Sequence, residues 1–267
     1  MHSLTQRAAD VIRACHRKLL SILNLFPSAS RLRAKGLMPG EDYLAVLSRI
    51  HDRLRPASYL EIGVRTGDSL AIVREQTRAV GIDPMLRVTR PIKSRARLYP
   101  LPSDEFFARY DLFEELGAPR LALAFIDGLH LFEQVLKDFI NVERYADRET
   151  VILVHDCLPV SRSVTGRRQA AGMWCGDVWK LVPCLRSHRP ELTVRIIPTL
   201  PSGLTMITGA DSKSRLLAER YDEILTQYRD AMLAYDRLDP EYLRTLFGLL
   251  PNDPRRIDES LSHLPVG

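Results

Sequence analysis

The chain has 267 residues, 45% apolar and 27% charged, a balance that suits one large globular core and excludes a disordered or fibrous chain. It contains no stretch of about 18 uncharged apolar residues, so no membrane-spanning helix is expected. The net charge of +5 comes from one end: residues 1–40 hold seven Lys/Arg and one acid, while the rest hold 31 basic and 32 acidic residues. The basic isoelectric point near 9.1 is therefore a property of the N-terminal segment, and nucleic acid is not expected as a partner of the main domain.

In chain order, Leu4, Ala8, Val11, Cys15, Leu19, Ile22 and Phe26 recur at helical spacing and predict an amphipathic helix ending near Pro27. Its arginine-bearing face suits a membrane surface, or its apolar face packs on the domain or on a second copy; packing is the plainer reading. Arg13, Arg17 and Lys18 interrupt any apolar region, which argues against a cleaved signal peptide. Residues 41–54 predict a second helix with Tyr43, Leu44, Leu47, Ile50 and Leu54 on one face. A strand follows at 59–62, a helix over Ser69–Thr77 and a strand at 80–82. Residues 96–101 read as a strand, and Ser103-Asp104-Glu105 as a helix start with Ser103 capping. Apolar runs at 121–126 and 150–154 predict buried strands, separated by a helix with Leu131, Val135, Leu136, Phe139 and Val142 inward. Residues 157–172 read as a polar loop, 177–185 as a helix, 192–197 and 204–208 as two closing strands, and 212–247 as a helical tail. Strands alternating with helices predict a parallel sheet. The four cysteines (Cys15, Cys157, Cys175, Cys184) have no C-x-x-C or zinc-ligand spacing and read as free thiols of a reducing, cytoplasmic compartment.

Residues 58–83 concentrate the signal. Gly63 and Gly67 bracket a tight turn after the first strand, and Asp83 ends the second strand 20 residues after Gly63, where dinucleotide-type folds place a ribose-binding carboxylate. A nicotinamide cofactor needs the closer G-x-G-x-x-G spacing, because its pyrophosphate must reach a helix N-terminus. The pattern here is Glu61-x-Gly63-x-x-x-Gly67; its leading acid repels phosphate and suits a cationic or amino-acid-bearing ligand.

Polar groups stand at four strand ends: Glu61, Asp83, Asp127 and the pair His155-Asp156. Ligands of open α/β sheets bind beyond these ends, and a buried carboxylate costs several kcal/mol unless paired or ligated. Asp127, His155 and Asp156 are a candidate divalent-metal set, with oxygen ligands suited to Mg²⁺ or Mn²⁺. His130, three residues after Asp127, could take a proton at neutral pH; it could equally be a helix-start histidine with local hydrogen bonds.

Phe125-Ile126-Asp127-Gly128-Leu129-His130-Leu131-Phe132-Glu133 resembles the F-I-D-G-x-H-x-[FY]-E segment of class I S-adenosylmethionine (SAM)-dependent methyltransferases acting on small molecules, such as the macrolide, aminocoumarin and cephamycin O-methyltransferases. The Glu61–Gly67 pattern resembles their first motif, and Val151–Asp156 their fifth strand; the resemblance covers roughly residues 40–210. It implies a Rossmann-like, doubly wound, mostly parallel sheet with a closing antiparallel pair. It implies SAM held by Glu61, Gly63, Gly67, Ser69 and Asp83, with Ser103 and Asp104 at the adenine. It implies Asp127 and Asp156 as metal ligands and His130 as base. The chain departs from the family where His155 stands in place of the first acid of a pair; nitrogen there suits Mn²⁺ or another nitrogen-accepting metal better than Mg²⁺, or a site with no metal.

Trp174-Cys175-Gly176-Asp177-Val178-Trp179-Lys180 holds both tryptophans and is similar to a segment of bacterial methyltransferase-like proteins. Trp174 could wall an acceptor pocket and Asp177 orient an acceptor hydroxyl; alternatively Gly176-Asp177 starts a helix and Trp179 packs beneath it. The expected organisation is a basic helical extension (1–36), a methyltransferase-like domain (37–210) and a helical C-terminal extension (211–267). The expected function is methyl transfer to a small-molecule or glycan-type acceptor, at oxygen. A non-catalytic scaffold of the same fold, and an NAD or nucleotide-sugar enzyme, are the rival readings. The basic stretches at 87–97 and at Arg162, Arg167 and Arg168 hint at an anionic acceptor, although charge runs are usually solvated faces.

Overall fold

The computed structural model describes residues 34–169, 172–230, 245 and 247–267. The amphipathic stripe up to Phe26, and with it Cys15, lies outside the described residues. The chain builds helix α1 (Tyr43–Leu54), strands β1 (Ser58–Ile62), β2 (Arg78–Ile82) and β3 (Arg95–Tyr99), helices α2 (Ser103–Arg109) and α3 (Leu112–Leu116), and strand β4 (Leu123–Ile126). Then come α4 (Phe132–Glu143), β5 (Val151–His155), α5 (Leu181–His188), β6 (Thr193–Ile197), β7 (Leu204–Thr208), the short helices α6 (Leu216–Glu219) and α7 (Tyr221–Ile224), and α8 (Pro254–Ser260). The seven strands form one sheet in the order β3-β2-β1-β4-β5-β7-β6. The first five are parallel, and β7 runs antiparallel between β5 and β6. This is the Rossmann-like, mostly parallel sheet with a closing antiparallel pair.

Alternation along each strand divides the core between two faces. Leu60, Ile62, Val80, Ile82, Ala124, Ile126, Ile152 and Val154 point to the face covered by α2, α4 and α5. Leu217, Ile224, Leu225 and Tyr228 of the tail bury against that same face. Tyr59, Ala79, Leu123, Phe125, Val151 and Leu153 point to the other face, with Val46, Leu47, Ile50 and Leu54 of α1 and Ile257, Leu261 and Leu264 at the C-terminus. Asp42 caps α1, its carboxylate accepting the Ala45 N–H at 2.9 Å. The chain end is fastened beneath α1, where the Gly267 N–H donates to the Leu54 carbonyl at 2.8 Å.

The expected helix over Ser69–Thr77 is a single 3₁₀ turn, Leu70–Ile72, after which Val73 is extended. Ile72, Val73 and Thr77 are β-branched and lose side-chain freedom in a helix. The crossover also packs flat on the sheet over Gly81, where an added Cβ would lie 2.8 Å from Leu98 and Val64 side chains and 3.5 Å from Leu70. The capping expected of Ser103 is also corrected: the cap position is Pro102, and the Ser103 hydroxyl donates instead to Asp138 at 2.6 Å. Beyond β7 the described tail is α6, α7 and a π-helical turn over Leu225–Asp230. Among the described residues no helix is long and apolar enough to cross a membrane.

Candidate active site

The strand order reverses between β1 and β4, since β1 leads on to β2 and β3 while β4 leads on to β5. Such a switch point opens a crevice at the carboxyl ends of the strands, and here a cavity of about 1060 Å³ occupies it. Gly63 makes the closure possible. Its φ is +98°, and a Cβ there would lie 2.0 Å from the Asp127 carbonyl oxygen, so only glycine lets the two strand ends meet.

One half of the cavity belongs to the β1–β2 side. Gly63, Ser69, Asp83, Ser103 and Asp104 line it. Asp83 accepts the Arg65 N–H at 2.8 Å and the Met85 N–H at 2.6 Å, one on each oxygen. Each oxygen keeps a second lone pair for a ligand hydroxyl. Gly67, at φ +81°, shapes the turn against Val88, which an added Cβ would meet at 3.1 Å. Glu61 is placed differently from its expected role. It is fully buried and is not among the residues lining the cavity. Its carboxylate accepts the Tyr59 hydroxyl at 2.7 Å and the Ser69 hydroxyl at 2.6 Å. Burial pushes its pKa up to about 7, although these two hydrogen bonds pull the other way. Glu61 thus reaches the cavity through Ser69.

Asp138, which the sequence did not single out, also lines this half. It accepts hydrogen bonds from Ser103 at 2.6 Å and from Gln134 at 3.0 Å, and burial raises its pKa to about 6. Its position on the buried face of α4 gave the only hint, an acid where an apolar residue belongs.

The other half holds the titratable cluster. Asp127 follows β4, His155 ends β5, and Asp156 turns away from the sheet with φ at 65°. His155 Nδ1 lies 3.2 Å from Asp127 and 3.6 Å from Asp156. His130 Nδ1 lies 3.0 Å from Asp156, and its Nε2 lies 3.5 Å from Asp127. Ser202, on the turn before β7, donates its hydroxyl to Asp156. Burial opposes charge on both imidazoles, but hydrogen bonding and the charges of the two aspartates outweigh it. His130 is raised to about 9, and His155 is also raised. Asp127 is partly buried on the cavity wall, and loss of solvent alone would raise it, yet the two histidines hold it well below the ordinary carboxylate range.

Among the described residues, Asp127, His130 and Asp156 each place one donor atom so that all three lie within 4.8 Å. The donor set fits a divalent ion, two carboxylates and one imidazole being compatible with Mn²⁺. It differs from the expected set in its histidine. His155 Nε2 is buried without a partner, its ring packs on Tyr43 at 4.2 Å between centroids, and its Nδ1 pairs with the aspartates beside it on the cavity wall. Tyr43 itself lines the cavity, and burial, with Asp127 adding to it, raises its hydroxyl above its ordinary value.

Trp174 does wall the cavity. Asp177 does not face it: one oxygen accepts the Phe132 N–H at 2.8 Å and the other pairs with Arg167 at 2.6 Å. Trp179 is buried, 1% exposed, as the packing reading expected.

Residues 60–157 match a family model described as "Methyltransferase domain". That stretch of the chain is similar to methyltransferase domains. The matched residues contain Gly63, Asp83, Asp127, His130 and both members of the His155-Asp156 pair. No curated protein matches the chain. Several solved structures are similar. The cofactor-bound Rv0187 from MTB shares 16% identity over 69% of this chain and 90% of its own, with a TM-score of 0.49. The SAH-bound methyltransferase PaMTH1 of Podospora anserina shares 16% over 79% and 99%, with a TM-score of 0.48. The O-methyltransferase of Bacillus cereus in complex with SAH shares 14% over 67% and 87%, with a TM-score of 0.43. At these distances the similarities say nothing of what this chain acts on.

Proposed function

We propose that this chain is a SAM-dependent methyltransferase that moves the methyl group to an oxygen of a small-molecule or glycan-type acceptor, with His130 taking the acceptor's proton in the fraction of molecules whose ring is neutral, a fraction that grows as the pH approaches its raised value of about 9. The observation that supports this reading is the placement of His130 between two carboxylates on the wall of the same cavity that holds Asp83. The cofactor supplies an activated methyl group on its sulfonium. The residues of the chain do the rest. Asp83 accepts the ribose hydroxyls, Ser69 and the turn around Gly63 and Gly67 take the amino-acid end, and Ser103 and Asp104 meet the base. Across the cavity, Tyr43 and Trp174 would confine the acceptor, and His130 lines the same wall. An amine would need no such proton acceptor, whereas a hydroxyl becomes a competent nucleophile only as its proton leaves.

A divalent ion is the second part of the proposal, favoured by the 4.8 Å clustering of donor atoms on Asp127, His130 and Asp156. These residues would hold it, and it would lower the pKa of an acceptor hydroxyl, with His130 then serving as a ligand in place of the base. Cytoplasmic location belongs to the same proposal: Cys157, Cys175 and Cys184 are free thiols, as a reducing compartment allows. The decisive experiment is acceptor profiling with methyl-labelled SAM, followed by turnover with Mn²⁺, with Mg²⁺ and with chelator. Label on nitrogen or carbon in every product would refute the oxygen assignment. Undiminished turnover in chelator would remove the ion.

A further inference from the structure

The segment Trp174-Cys175-Gly176-Asp177 converges on His130 and on Phe132, the first residue of α4. The Trp174 carbonyl lies 2.9 Å from His130 Nδ1. The Trp174 ring stacks on the imidazole, with centroids 4.9 Å apart and planes at 23°. Gly176, at φ +59°, passes so close that an added Cβ would stand 1.7 Å from the His130 carbonyl oxygen. Helix α4 has Leu131 at its cap position, which offers no side-chain hydrogen bond; Asp177 supplies the missing acceptor to the Phe132 N–H at 2.8 Å. The segment is itself anchored. The N–H groups of Cys175 and Gly176 donate to the Val164 carbonyl at 2.8 and 3.1 Å, and Arg167 ties Asp177 to Glu133 on α4.

We propose that Trp174–Asp177 is a clamp that fixes the ring of His130, keeping a proton on Nδ1 and presenting Nε2 as its working nitrogen. The argument is one of donors and acceptors. Two oxygens approach Nδ1: the Trp174 carbonyl at 2.9 Å and Asp156 at 3.0 Å. A main-chain carbonyl has no proton to give, so the hydrogen belongs to the ring nitrogen. A flipped ring would turn carbon towards that carbonyl and forfeit the bond. Nε2 lies 3.5 Å from Asp127, which is too long for a good hydrogen bond. It is therefore the nitrogen free to accept a proton or to ligate an ion, since the hydrogen bond at one ring nitrogen decides which chemistry the other performs. Trp174, Gly176 and Asp177 are thus positioning residues, acting through His130. The clamp's importance for methyl transfer rests on the proposed role of His130; its geometry does not.

The test is ¹⁵N spectroscopy of the histidine rings in the full chain at pH 10, where the neutral ring carries one proton and the two nitrogens differ widely in shift. The His130 signals are identified by their loss in His130→Gln. The expected result is a proton on Nδ1, retained in Trp174→Phe because the carbonyl is main-chain. In Gly176→Ala the signal should move to a tautomer mixture or to the Nε2–H form, and Asp177→Ala should shift it in the same direction. A wild-type ring protonated at Nε2 would overturn the clamp without any variant having to fold. An unchanged Nδ1–H signal in both folded Gly176→Ala and folded Asp177→Ala would overturn it as well. S-adenosylhomocysteine (SAH) binding, followed by calorimetry on the same wild-type sample, separates the two proposals: no binding with Nδ1–H intact would refute the cofactor arrangement and leave the clamp standing.

Discussion

Glu61 offers the most quantitative check on the reading of this site. Its carboxyl is sealed in the sheet and its pKa is raised from 4.5 to about 7, mainly by burial. In the unfolded chain it ionises near its ordinary value. Below pH 4.5 both states hold the proton, and the group favours neither. As the pH rises from 4.5 to 7 the unfolded chain releases its proton first, so stability is lost across that window and then levels off. A rise of about 2.5 pH units at about 1.4 kcal/mol each puts the loss at about 3 kcal/mol. Glu61→Gln keeps the shape and removes the ionisation, while the Tyr59 and Ser69 hydroxyls can rotate to suit an amide. Urea unfolding of both proteins between pH 4.5 and 8 gives the difference directly, and the other titrating groups largely cancel in it. The variant should gain about 3 kcal/mol on the wild type across the window. A difference that stays flat with pH would refute the reasoning, because it would mean that Glu61 carries its charge in the folded state at no cost.

Three further outcomes are expected. Asp83→Ala should weaken SAH binding by about 1.5–3 kcal/mol, the worth of hydrogen bonds to a charged group; unchanged affinity in calorimetry would place the ribose elsewhere. His130→Gln should lower turnover by about 10²–10⁴ while leaving the SAH dissociation constant within a few-fold, and comparable losses in both would mark His130 as a cofactor residue. His51 is buried against Tyr59, with rings 4.8 Å apart, and burial lowers it from 6.5 to about 3. Both of its ring nitrogens lack a partner. A depressed value of this kind contributes stability above pH 6.5 that drains away as the pH falls towards 3. His51→Leu should therefore hold its unfolding midpoint better than the wild type between pH 6 and 4, and parallel acid curves for the two proteins would contradict the assignment.

Much of the sheet was legible because parallel strands buried on both faces read as continuous apolar runs. Leu121–Ile126 and Val151–Val154 are such runs, and each hands on to polar residues where the strand ends. That is why Asp83, Asp127 and Asp156 could be placed at the crevice from sequence spacing. The crossover after Gly67 was not legible. Its residues allow a helix locally, and the decision against one lies in the bare strip over Gly81, a contact between segments distant in sequence. Glu61 stands off the cavity wall for a related reason. Its position at a strand end suggested the cavity, but alternation turns it to the face shared with Tyr59, where it supports Ser69 from behind.

The two histidines show what a motif conveys and what it leaves to the fold. Spacing put His155 beside Asp156 and left His130 alone at a helix start. In the folded chain His130 joins Asp127 and Asp156, while His155 backs onto Tyr43. Both His155 and Asp156 line the cavity, but it is the ring of His130 that stands with the two aspartates as a donor set. A helix start three residues past a strand end can reach over it, provided that something holds the turn in place. In this chain that something comes from 44 to 47 residues further along, in Trp174, Gly176 and Asp177. No local signal links these residues to His130. Glycine at 176 and aspartate at 177 resemble an ordinary helix start, and only the packed structure shows that they complete a different helix, α4, and fix the imidazole in front of it.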